Sequence, residues 1–171
     1  GIISGLGANT TIKDEKTSLL QILKPMFAYA LSQSQSSGKP AMENTALLQT
    51  LATYSNKSDI STFITKDLAA QTKSIPYRNI YLNNRADLSR HFLISSGLAV
   101  TTNSRLADLI GVAKEVKDSD GGSGFSFADL AADRAGVKLG ESATASAKQA
   151  ALIQQKMSSI TSENSFMPRI D

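Results

Sequence analysis

Apolar residues in this chain return every three or four positions, and that period limits the folds open to it more than any motif does. Leu19, Leu20, Ile22, Leu23, Met26, Phe27, Ala30 and Leu31 form one stripe, the spacing of an amphipathic helix. Pro25 must kink that helix or start it. A polar Ser/Gly loop over 32–40 ends at Pro40, which opens a second helix carrying Leu47, Leu48, Leu51 and Tyr54. Residues 57–74 suggest one or two short helical turns. Residues 75–84, with Pro76, Tyr77, Ile80 and Tyr81, read as a short extended segment with no obvious partner.

The second half is more insistently helical. Asn84 with Asp87 three residues later resembles a helix start, and apolar residues then cover nearly the whole circumference from Leu88 to Val100, as in a central helix. Asn103 or Ser104 can cap the next one, with Leu106, Leu109, Ile110, Ala113 and Val116 on its stripe. Ser126 and Asp129 make a capping box for a helix from Phe127 to Val137, which Gly136 or Gly140 could end. An Ala-rich helix follows from Glu141 to Met157. The fold class expected is all-α: a flexible lead-in over 1–15, a single compact domain of about six helices over 16–157, and an irregular tail over 158–171.

Composition narrows the function classes. The 171 residues include no Cys, which removes disulfides, thiolate zinc sites and Cys nucleophiles. Eighteen Lys and Arg against fifteen Asp and Glu give a net charge of +3, and the basic residues are scattered, so no nucleic-acid partner is expected. The longest apolar run, over 91–100, is far short of the roughly 20 residues that span a bilayer.

The densest charge lies over 114–136. Glu115 and Asp118 are three apart and Asp129 and Asp133 four apart, so each pair shares a helical face. One reading is a divalent-cation site (Mg²⁺, Mn²⁺ or Ca²⁺) with Glu115 and Asp118 as metal ligands, activating water for hydrolysis. His91, the lone histidine, would supply a ligand or carry a proton. The catalytic candidates are then His91, Glu115, Asp118 and Asp133, with Glu115 as general base or metal ligand.

The other reading is a non-catalytic clasp. Arg134 falls between Leu130 and Val137 on the apolar stripe, so a buried guanidinium should meet a carboxylate, and Lys114, Glu115, Asp118 and Arg134 would form the salt-bridged set. Gly122 and Gly124 would be a turn, and Ser126 and Asp129 a cap. His91, on one face with Leu88, Ser95 and Leu98, would be a packed residue. Two familiar loops fail: a calcium loop from Asp118 would put Gly122 and Ser123 at its fifth and sixth positions, and "GGSG" at 121–124 lacks the Lys of a nucleotide loop.

From Tyr81 to Glu141, and again at 166–168, the chain resembles a group of bacterial proteins that share His-Phe, Lys-Glu-x-x-Asp and Gly-Ser-Gly-Phe-Ser-Phe-x-Asp-Leu-Ala-Ala-Asp-Arg-Ala-Gly. The matching stretches are "HFLISSGLA" (91–99), "KEVKD" (114–118) and "GGSGFSFADLAADRAG" (121–136). A looser likeness extends to YfiM-type predicted envelope lipoproteins. The resemblance implies a periplasmic, envelope-associated or secreted setting and brings no established activity.

Overall fold

The computed structural model describes residues 16–55, 78–101 and 126–170. The expected all-α class holds: five α-helices are present among these residues, α1 (Leu19–Ser37), α2 (Pro40–Ser55), α3 (Ala86–Val100), α4 (Phe127–Thr144) and α5 (Ala147–Met157). The turns read over 57–74 and the helix read over 104–116 lie outside the described residues.

α1 begins one residue after Ser18, whose hydroxyl accepts from the Gln21 backbone N–H while the Gln21 side chain accepts from the Ser18 N–H. This reciprocal cap satisfies two of the donors a helix start leaves open, and it places Pro25 inside the helix rather than at its start. α1 also runs further than expected. Residues 32–37 continue the helix, and the break falls at Gly38, whose φ of 67° lies in the left-handed region that favours glycine. Pro40 then opens α2, as the sequence indicates.

The extended segment does have a partner. β2 (Ile80–Tyr81) pairs in parallel with β1 (Thr17–Ser18), in register Thr17 to Ile80 and Ser18 to Tyr81. Lys16 lies with its ammonium 5.1 Å from the centre of the Tyr81 ring. Leu82 and Arg85 then exchange backbone hydrogen bonds of 3.0 and 2.9 Å across Asn83 and Asn84, both at positive φ. Asn tolerates that region, so Asn84 serves the turn and is not the helix cap that its spacing to Asp87 suggests. Arg85 takes the N-cap position of α3.

α3 is central, packed chiefly against α4 and α2. α4 does not stop at Gly136 or Gly140 but runs through both to Thr144. Their role is proximity. A Cβ on Gly136 would overlap the Phe92 carbonyl oxygen, and one on Gly140 would come within 2.7 Å of the Ser96 carbonyl oxygen. Ala128, Ala132, Gly136, Gly140 and Ala143, with Leu139 as the one long side chain, make up the buried face of α4. This inverts the expected orientation: Phe127 is 90% exposed, Leu130 and Val137 face outward, and Arg134 is exposed rather than buried on a core stripe. The tail after α5 is no loose appendage, because Ile160 and Met167 are buried. The Phe166 ring meets Phe92 edge-on at 5.4 Å, a geometry worth about 0.5–1.5 kcal/mol beyond its area.

A polar knot crosses the core. Asn44 and Gln154 are both fully buried. Asn44 Nδ2 donates to the carbonyls of Ala143 (2.9 Å) and Ala150 (3.2 Å). Gln154 Nε2 donates to Asn44 Oδ1 and Ser34 Oγ, each at 2.9 Å, and lies 3.3 Å from the Pro40 carbonyl. Ala143 is in the last turn of α4, where carbonyls lack helical partners, so Asn44 closes that helix from another element.

A candidate polar site between α3 and α4

The α3/α4 crossing brings two pairs of side chains into register. His91 and Ser95 lie four apart on α3, and Asp129 and Asp133 four apart on α4. His91 Nδ1 is 3.1 Å from Asp133 Oδ1, and Ser95 Oγ donates to the same oxygen at 2.8 Å. On the other side of the ring, His91 Nε2 is 3.6 Å from Asp129 Oδ1. A neutral ring can donate from one of these nitrogens only, and a protonated ring from both. The side chains of His91, Asp129 and Asp133 are 11, 15 and 28% exposed, which makes this a seam between helices rather than an open surface cluster.

Asp129 carries two tasks. Its Oδ2 accepts from the Ser126 N–H at 3.3 Å while the Ser126 hydroxyl accepts from the Asp129 N–H at 3.1 Å, the capping box read from the sequence. Its Oδ1 is buried, makes no hydrogen bond, and faces His91 and, at 3.8 Å, the Arg85 guanidinium. Arg85 is held in turn by Asp87, Nε to Oδ1 at 3.1 Å and Nη2 to Oδ2 at 2.5 Å. The seam therefore reads Arg85, Asp129, His91, Asp133, Ser95.

Burial alone would raise the Asp87 carboxyl, but the hydrogen bond and charge of Arg85, with backbone N–H groups at the helix start, bring it below its ordinary 3.8. A carboxyl lowered on folding adds stability that is complete above the unfolded value and is lost as pH falls through the folded one. Asp87→Asn should therefore be less stable than the parent at neutral pH, with the two converging below about pH 4 in denaturant titrations.

Of the catalytic candidates, the structure joins His91 and Asp133. Glu115, Asp118, Lys114, Gly122 and Gly124 lie outside the described residues. Arg134, read as a buried guanidinium, is exposed and lines a surface groove, while its expected clasp partners Glu115 and Asp118 are among those outside the described residues. Among the described residues no group of three His, Cys, Asp or Glu is arranged to hold a metal ion, and no helix is long and apolar enough to cross a membrane. Arg85 was not marked by sequence reasoning, and Asp87 only as part of a helix start, although the Arg-x-Asp spacing shortly before the His-Phe pair is a visible signal. Comparison with family models, curated proteins and solved structures finds no match for this chain.

Proposed function

We propose that the chain is a non-catalytic helical module, of the bacterial envelope or secreted fraction, in which the α3/α4 seam locks two helices instead of turning over a substrate. One observation carries this reading: both ring nitrogens of His91 face carboxylates of α4, and the nearby Ser95 hydroxyl is spent on Asp133. A nucleophile needs its base within hydrogen-bond reach, and Ser95 instead donates to the acid. The envelope or secreted setting is supported by the motif resemblance over 81–141.

A second reading, hydrolysis with His91 as general base, is favoured by the 3.1 Å contact with Asp133, since a carboxylate that orients an imidazole is what such chemistry uses. One pair of variants separates the two. His91→Gln and Asp133→Asn should each lose about 1–2 kcal/mol, for partly exposed pairs, and so lower Tm by about 2–8 °C. Neither parent nor variants should hydrolyse p-nitrophenyl acetate or p-nitrophenyl phosphate above the buffer rate. Turnover by the parent that disappears in His91→Gln, with Tm unchanged, overturns the proposal in favour of the hydrolase.

A further inference from the structure

A second feature lies on the other side of α4, away from the seam. Two of the large apolar side chains that α4 turns outward, Phe127 and Leu130, do not face open solvent alone: with α5 and the C-terminal segment they line a groove of about 820 Å³, within the size range of small-molecule sites. Leu130, Leu139, Ile153, Met157, Phe166 and Met167 give it an apolar lining, and the two methionines can adapt to an occupant. Arg134, Lys138 and Lys156 also line it, all exposed, and none of the described lining residues is Asp or Glu. Asp133 and Glu141 lie beside Arg134 and Lys138 in a smaller adjoining pocket rather than in the groove, and three cations along an apolar trough form a charge pattern that an anionic amphiphile complements.

We propose that this groove binds a single-chain anionic amphiphile, with its alkyl chain along the apolar lining and its carboxylate or phosphate head among Arg134, Lys138 and Lys156. Two other occupants fit less well. A second copy of this chain would bring another molecule of net charge +3 to an already cationic groove. An extended peptide must satisfy its own amides, and the walls of α4 and α5 are helices whose backbone groups are used internally, whereas an alkyl chain asks for no hydrogen bonds.

The test uses the full chain and the fluorescent fatty acid cis-parinarate, with palmitate, hexadecyl phosphate, hexadecanol and hexadecyltrimethylammonium as competitors below their micelle concentrations. Parinarate should bind saturably, and at least one anionic competitor should displace it. Displacement by palmitate, by hexadecyl phosphate or by both identifies the head as carboxylate, phosphate or either. Hexadecanol and the cationic competitor should be weaker by at least about tenfold, because they forgo charge-assisted hydrogen bonds.

Replacing Arg134, Lys138 and Lys156 together by Gln should weaken parinarate by at least about tenfold, and Phe127→Ser with Leu130→Ser should weaken every competitor. These positions are exposed, so circular dichroism and Tm should match the parent. Lys24→Gln with Lys148→Gln, exposed and outside the groove, should bind as the parent does. The proposal is overturned by absence of saturable binding, by hexadecanol competing as well as both anions, or by a triple Gln variant that binds as the parent does. Any of these results leaves the seam reading untouched, since no seam residue is altered.

Discussion

Gly136→Ala should lower Tm by about 6–12 °C, because overpacking costs about 3 kcal/mol at the upper end of its usual range and each kcal/mol moves a chain of this size by about 2–4 °C. Alanine is the better helix former by about 1 kcal/mol, so propensity alone predicts the opposite sign. Packing decides it. The added methyl meets the Phe92 carbonyl oxygen, with the Phe92 carbonyl carbon at 3.0 Å and the Ser96 nitrogen at 3.1 Å. These are backbone atoms of α3 and cannot rotate aside, so α3 and α4 must separate and disturb the His91 seam with them. Gly38→Ala is the control: its Cβ would meet nothing within 4 Å, but φ is 67°, so only the left-handed penalty of about 1–2 kcal/mol applies. A Gly136→Ala protein that melts at or above the parent temperature would show that the helices are not in backbone contact.

Asn44→Leu should cost about 2–4 kcal/mol, measured by chemical denaturation, although the new side chain is apolar and similar in size. Burying an apolar group is ordinarily favourable, but here it leaves the Ala143 carbonyl without the Asn44 donor and removes one acceptor from Gln154. An unsatisfied buried polar group costs about 1–3 kcal/mol each. Gln154→Leu should cost a similar amount. The Asn44→Leu, Gln154→Leu double variant should be less destabilised than the sum, by at least about 1 kcal/mol, because the two amides no longer leave each other unpaired. Simple additivity would mean that the knot contributes no coupling.

The helical class was legible because α1, α2 and α3 bury long side chains at helical spacing. The orientation of α4 was not. Reading Leu130 and Val137 as its inward face follows the rule that large apolar residues are buried, yet apart from Leu139 α4 buries alanine and glycine, because at Gly136 and Gly140 it approaches the α3 backbone too closely for anything larger. That inversion explains the outcome for Arg134, taken as a core residue and found at a groove, and for Asp129 and Asp133, which fall toward His91 once the small residues face α3. The pairing of His91 with Asp133 depends on a helix crossing between residues 42 apart in sequence, which no local pattern encodes. The Ser126 box was readable because a cap is a local device spanning four residues. β1 was missed for the opposite reason: two residues are too short to show a period, and Thr17 and Ser18 find their partner 63 positions away.

The polar knot also bears on how the chain reaches its native state. Asn44 and Gln154 are 110 residues apart, and Phe166 closes on Phe92 from beyond α5. Helical proteins are fast folders when their contacts are local, and ties of this length must first overcome the entropy of closing a large loop. During synthesis α1 to α3 emerge with apolar surface awaiting partners still inside the ribosome, a condition that exposes them to mispairing until Phe166 and Met167 are released.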